Sequence, residues 1–291
     1  MSYALNKKNT NDKTKPKSLI IWTSDQVIRD PNLAVDESQN FYTSLLYEPL
    51  FLLDDKNELV PNIAKSYKIS EDGTKITIDL NRSKEFSDGT AIKSDDIKRT
   101  LVRLNSLDGK FSKFIKSVKG SGEAKSGQDF FGIETPTDSK IVFSLIEPNP
   151  FFVYSLAQPN LGIIPSSALN EKNEIISDVG SGDYTIKTDA ASPGDATVFA
   201  PRDKTLPTLN IFVKTQDEIN AIDARSKVDI AFGQTASSKG FSRKNVHLLA
   251  SASWNLYVKD ASSPLSDVKF RKAVLLALDS KTSLAAYGDK A

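Results

Sequence analysis

A few places in the chain carry residue types whose spacing could do chemistry. Val179-Gly180-Ser181-Gly182 has the glycines and hydroxyl of a backbone phosphate cradle. The third glycine of a dinucleotide fingerprint is missing, as is the helix that should open after it. These residues therefore read as a tight backbone crossing beside a strand. His247 sits among Val246, Leu248 and Leu249, a strand histidine with no carboxylate partner in view, and reads as structural. Asp95 and Asp96 are a carboxylate pair only on paper. Adjacent helix residues point in different directions, so they read as charge at a helix start. Asn81-Arg82-Ser83 fits a glycosylation triplet, which is common by chance. Trp22 and Trp254 are either core residues or aromatic platforms for a ligand.

No nucleophile elbow, zinc-binding histidine helix or Gly-rich loop with a following lysine is present. With one histidine and no cysteine, sites built from several imidazoles or from thiolates are excluded. The residues favour a binding or interaction protein, not an enzyme, with no catalytic group, no metal and no cofactor. The 38 basic and 37 acidic side chains leave a net charge of +1, which argues against a nucleic-acid surface. At 39% hydrophobic and 26% charged, the 291 residues suit a globular chain with a sizeable core. No run of about 18 apolar residues suggests a membrane span.

The elements that must position any site follow from periodicity. Leu19-Ile20-Ile21-Trp22 is a short buried strand. Phe41, Tyr42, Leu45 and Leu46 share a helical face. Glu71-Asp72-Gly73-Thr74 is a hairpin turn, and beyond it Ile76, Ile78 and Leu80 alternate with polar residues. Phe86-Ser87-Asp88-Gly89-Thr90 is a second turn of this kind. Ser94 is a candidate cap for a helix that carries Ile97, Leu101, Leu104 and Leu107 inward, with Lys98, Arg99 and Arg103 on other faces. Residues 105–130 form a long loop anchored by Phe111 and Phe114. Strands are expected at 141–146, 162–164, 184–187, 197–200, 209–213, 228–232, 246–249 and 254–258. Helices are expected at 216–224 and 268–286. Such a mixture favours α+β or α/β subdomains. Residues 2–18 are polar and Lys-rich, lack the apolar segment of a signal peptide, and read as a flexible tether.

Several segments, taken together, resemble the family 5 extracytoplasmic solute-binding proteins, the peptide- and nickel-binding components of ABC importers. The matches run in order: Tyr47-Glu48, Val60-Pro61-Asn62-Ile63-Ala64-Lys65-Ser66, Asp72-Gly73 and Phe86-Ser87-Asp88-Gly89-Thr90. Further on come Pro148-Asn149-Pro150-Phe151-Phe152, Gly180-Ser181-Gly182-Asp183-Tyr184, Lys227-Val228-Asp229-Ile230-Ala231 and the run from Ser266 to Val274. Pro49 stands where the family has glycine, and Asp183 where it has proline.

The resemblance implies an α/β (mixed α+β) fold. It is a periplasmic-binding-protein-like lobe with an inserted β-rich subdomain, the second lobe being largely missing. Residues 19–49 and 166–262 would form the main subdomain, 50–165 the insertion and 263–291 a stub of the second lobe, with 1–18 as tail. The resemblance further implies an extracytoplasmic, periplasmic or cell-surface location. It implies an oligopeptide or other small solute as ligand and an ABC permease as partner. Ligand-facing positions are expected at Val35, Asp36, Glu37 and Ser38, at Phe111, at Ser181 and Gly182, and at Trp254. The acidic residue that holds a peptide's amino terminus would belong to the missing lobe. Weak or no binding by this chain alone is therefore expected, together with self-association through the exposed half cleft. The alternative is a non-transport scaffold that reuses one lobe with no closing cleft.

Overall fold

A computed structural model describes residues 18–107, 111–124, 128–188, 195–222 and 227–232. The expected strands at 246–249 and 254–258, the helix at 268–286, His247, Trp254 and nearly all of the N-terminal tail lie outside these residues. The described residues from Ser18 to Thr215, with Val228–Phe232, form one unit. Gln216–Ile222 and Lys227 belong to another, in which the short helix Gln216–Asn220 begins with Asp217 and Glu218 in its first turn.

The first unit holds two main sheets. β1 (Ser18–Thr23) opens the larger one, where it lies second from one edge. The next elements are α1 (Glu37–Leu46), β2 (Phe51–Leu53), β3 (Leu59–Pro61), β4 (Ala64–Ile69) and β5 (Lys75–Leu80). They are followed by α2 (Ser94–Ser106), β6 (Ile133–Thr137), β7 (Lys140–Ser144) and the single turn α3 (Phe152–Ser155). β8 (Tyr184–Thr188), β9 (Ala196–Pro201), β10 (Thr208–Val213) and β11 (Ile230–Ala231) complete the unit.

The larger sheet has the order β11-β1-β10-β9-β8. β1 is parallel to both its neighbours, with Ile21 opposite Ile211 on one side and Ile230 on the other, whereas β10, β9 and β8 run antiparallel. Ile21, Phe199, Leu209 and Ile211 pack with Tyr42, Leu46 and Tyr47 of α1 and its C-terminal end. The smaller sheet is antiparallel, β4-β5-β7-β6. The alternation read in β5 is physical: Ile76, Ile78 and Leu80 are buried while Lys75 and Asp79 are exposed. They join Ile141 and Phe143 of β7 and Ile97, Leu101 and Leu104 of α2 in one core. Each such buried side chain contributes on the order of 1.5–3 kcal/mol by leaving water. β2 and β3 form a separate two-stranded ribbon.

Three local expectations are corrected. Ser94 is not the cap of α2 but its first helical residue, and Lys93 takes the cap position. The Ser94 hydroxyl instead donates to the Thr137 carbonyl at 2.7 Å, and the Asp96 carboxylate closes the helix start by accepting from the Lys93 amide at 2.9 Å. Residues 162–164 make no strand. A 3-10 turn at Pro159–Leu161 leads into an extended crossing, where the Ile163 amide donates to the Glu48 carbonyl. Arg103, assigned to a polar face, is 3% exposed. α2 carries a second inward stripe, Asp96, Thr100 and Arg103, at helical spacing. Asp96 accepts from the Ser166 amide, Thr100 from the Ile164 amide, and Arg103 donates to the Asn173 carbonyl. That stripe is polar because it faces backbone instead of apolar side chains.

Candidate functional site

Three parallel strands, β11, β1 and β10, end side by side at Ala231, Thr23 and Val213. The carboxyl ends of parallel strands are where α/β sheets most often present a ligand crevice. The chain leaves β1 with the Thr23 hydroxyl accepting from the Asp25 amide at 3.1 Å, and it returns at Asp36 to open α1.

That helix start is closed reciprocally. Asp36 Oδ1 accepts from the Gln39 amide at 2.8 Å, and Gln39 Oε1 accepts from the Val35 amide at 3.0 Å. The Ser38 hydroxyl lies 2.5 Å from Asp25 Oδ2 and 2.8 Å from Asp36 Oδ1. A hydroxyl has one proton, so it donates to one carboxylate at a time and draws both acids together at the positive end of α1. One turn further, burial pushes the Tyr42 phenol well above its ordinary value, and the charges of Asp25 and Asp36 add to that. Phe232, just beyond β11, packs on Phe41 at 5.3 Å and edge-on to Tyr42 at 6.1 Å, so α1 is seated on the sheet by aromatic contacts.

Ahead of α1 the backbone is extended at Ala34 and again at Asp36, and the Val35 side chain between them is 58% exposed. This stretch is held from behind. Arg103 of α2 forms a buried ion pair with Asp30, through Nη1 at 3.0 Å and through Nη2, and donates to Asn32 Oδ1. Asn32 Nδ2 donates to the Asn160 carbonyl at 2.7 Å, and Asn160 Nδ2 donates to the Ala34 carbonyl at 2.6 Å.

The residues expected from sequence to face a ligand are not all in one place. Val35, Asp36, the Glu37 backbone and Ser38 are contiguous at the N-terminal end of α1. Ser181 and Gly182 pack at its other end, on Leu45, Leu46 and Glu48, about 12 Å further along the helix at 1.5 Å per residue. The buried Ser181 hydroxyl accepts from the Glu48 amide at 2.9 Å and donates to the Ile163 carbonyl at 2.8 Å. Ser181 also lines a polar hollow of about 340 Å³ with Glu48, Lys84, Glu85, Asp183 and Arg202. Lys84 pairs there with Glu48 at 2.8 Å, and Arg202 donates to the carbonyls of Gly182, Glu85 and Phe86. Phe111 stacks on Phe114, with 6.1 Å between ring centroids, against the core of the smaller sheet. Trp254 lies outside the described residues.

Sequence reading passed over Asp25, Asp30, Asn32 and Asn160 and placed Arg103 on an outer face. The one signal available was the spacing Asp96, Thr100, Arg103, a polar stripe on a helix whose apolar stripe was already assigned. Among the described residues no group of three or more His, Asp or Glu is placed to hold a metal ion. No helix among them is long and apolar enough to cross a membrane.

The described unit, with its mixed sheet parallel on the β11 side, shares its fold with solved periplasmic binding proteins. The murein tripeptide-binding protein MppA of Escherichia coli superposes with a TM-score of 0.62 at 20% identity, over 75% of this chain and 46% of that one. OppA of Burkholderia pseudomallei superposes with a TM-score of 0.62 at 19% identity, over 76% and 47%. The profile of the bacterial extracellular solute-binding proteins, family 5 Middle, matches residues 58–290, and the chain belongs to that family. It is 28% identical over 159 residues to a glutathione-binding protein GsiB of Pectobacterium atrosepticum, 53% of this chain and 29% of that protein. It is 24% identical over 135 residues to a dipeptide-binding protein of Lactococcus lactis, 45% and 24% respectively. The chain thus spans less than a third of these relatives and less than half of the solved structures. MppA and both of these sequence relatives are named as binding proteins.

Proposed function

We propose that this chain is the solute-binding component of an ABC importer, acts outside the cytoplasm, and takes a peptide or peptide-like solute along Val35–Ser38. Family membership supports importer binding, and the relatives named for glutathione and dipeptides support the solute class. One neighbour of the same fold, OppA of Haemophilus influenzae, was solved in complex with the peptide RPPGFSPFR.

The observation that carries the placement is the extended, outward-facing segment around Val35 at the carboxyl end of β1. The Val35 amide and the Ala34 carbonyl are already engaged by Gln39 and Asn160, so strand addition would use the remaining main-chain groups of the segment, and such main-chain bonds tolerate varied ligand side chains. The Val35 side chain gives such a ligand an apolar contact, and Asp25 and Asp36 give the neighbourhood negative charge.

In this reading the described residues form one wall of the cleft. A single wall buries much less of a small ligand than an enclosing pocket does, so affinity for this chain alone is weak. The test is amide NMR of the chain titrated with a di-, tri- and oligopeptide series to millimolar concentration. Saturable shifts centred on Val35–Ser38 are expected. Shifts absent there, or centred on the hollow at Glu48 and Arg202, would overturn the placement.

A further inference from the structure

Arg103 lies in α2, yet its guanidinium is aimed away from the apolar core of that helix. Its three nitrogens are distributed over the carbonyl of Asn173, the carboxylate of Asp30 and the amide oxygen of Asn32. Asn32 Nδ2 donates to the main-chain carbonyl of Asn160, and the Asn160 side-chain amide donates in turn to the carbonyls of Pro31 and Ala34. Arg103 and Asn160 are each 3% exposed and Asn32 is 4% exposed, while Asp30 is half-buried. The chain of bonds stops at the residue next to Val35.

From this we infer that Arg103 is a positioning residue for the ligand segment, acting through Asp30, Asn32 and Asn160 to hold the backbone from Ala34 to Asp36 extended, with Val35 facing outward ahead of α1. The inference rests on reading that segment as ligand-binding.

The physical argument has two parts. An extended segment binds by main-chain pairing only if its carbonyls and amides are already oriented, since ordering a mobile loop on binding lowers affinity. The Asp30–Ala34 stretch has no sheet partner and only a short 3-10 turn of its own. Its order must come from side chains. Arginine suits the task because its planar fork engages a carboxylate with two nitrogens and still offers other donors. Lysine, a single point charge, cannot hold Asp30, Asn32 and Asn173 at once.

The experiment follows amide hydrogen exchange and peptide-induced NMR shifts in the intact chain and in Arg103→Lys, Asn160→Ala and Leu101→Ala. Asn160→Ala cuts the last link far from α2 and keeps the question open if Arg103→Lys fails to fold. Leu101→Ala weakens the core of α2 without touching the relay. In Asn160→Ala and Arg103→Lys, exchange of the Val35 and Gln39 amides should rise about tenfold or more while the amides of β5 and β7 keep their protection. Peptide affinity should fall about fivefold or more at temperatures where the variants remain folded. Leu101→Ala should lower the melting temperature and leave both local exchange and affinity at wild-type values. Unchanged exchange at Val35 and Gln39 in both relay variants would overturn the inference, as would equal loosening in Leu101→Ala. If the unmodified chain gives no peptide shifts at Val35–Ser38, the ligand reading fails by itself, and the exchange measurements alone decide whether the relay holds the segment.

Discussion

Gly182 lies directly against Leu45. A Cβ at position 182 would fall 2.3 Å from the Leu45 carbonyl oxygen, and the Gly182 amide donates to the neighbouring Leu46 carbonyl at 2.8 Å. The end of α1 and the entry to β8 therefore touch backbone to backbone, with no room for a side chain. The obstacle is backbone, which cannot swing aside as a flexible side chain would.

Replacing Gly182 with alanine should accordingly destabilise the chain by about 2–3 kcal/mol, the usual scale of overpacking a rigid contact. Urea unfolding measures this. Gly122→Ala, at an exposed glycine with nothing within 4 Å of the added atom, should stay within about 0.5 kcal/mol of wild type. Equal effects at the two positions would mean that the close crossing is not maintained in solution.

Ser181→Ala removes the hydroxyl that both accepts from the Glu48 amide and donates to the Ile163 carbonyl. Both backbone groups would be left without it in a buried place. A loss of about 1–3 kcal/mol is expected, with peptide-induced shifts at Val35–Ser38 intact. A variant of wild-type stability that no longer responds to peptide would instead make Ser181 a ligand contact.

Alkaline pH should unfold the protein from the tyrosines inward. Burial raises the phenols of Tyr42 and Tyr47 far above their ordinary value, and it pushes Tyr184 up to about 12. Because the folded values are raised, the neutral form is favoured by folding. The stabilisation is complete below the unfolded value near pH ~10 and declines above it, by about 1.4 kcal/mol per pH unit for each of the two most buried phenols. Absorbance titration checks this. Three of the eight tyrosines should ionise late or only on unfolding. A single titration of all eight near the ordinary value would contradict it.

In acid the opposite sign applies to Asp72 in the β4–β5 turn. The Ser70 hydroxyl donates to its carboxylate at 2.5 Å, and the Thr74 amide and hydroxyl donate at 3.1 and 2.8 Å, which pulls its value down to about 2. The turn contributes its full stabilisation above the ordinary carboxylate value of roughly 3.9 and loses it as pH falls toward 2. Carboxyl-carbon NMR should give a midpoint near the lower figure. A midpoint at the ordinary value would show that these donors do not hold the turn.

Where apolar residues recur at a regular period within one element their direction was legible in the sequence, although Leu107, expected inward at the end of α2, is 36% exposed. The β5 alternation and the Ile97, Leu101, Leu104 stripe state which way each residue points, because period two and period 3.6 are set by backbone geometry alone. The order of motifs from Tyr47 to Val274 likewise sufficed for the family. The same reasoning misread Ser94 and Arg103. Both are polar residues of a helix with one evident apolar stripe, and propensity assigns such residues to a cap or to solvent. Their partners, the Thr137 carbonyl and the Asp30 carboxylate, are 43 and 73 positions away, and local spacing carries no information over that distance.

The amino-acid order thus determined the mixed α/β class, the family and those elements with a clear apolar period, such as β1, β5 and α2, since these depend on periodicity and on local turn chemistry. Tertiary structure decided the rest. It set Val35–Ser38 and Ser181-Gly182 at opposite ends of one helix, drew Asp25 and Asp36 to a shared hydroxyl, and turned Arg103 inward. Each of these depends on which distant backbone groups are left in need of a hydrogen-bond partner once the chain has closed on itself.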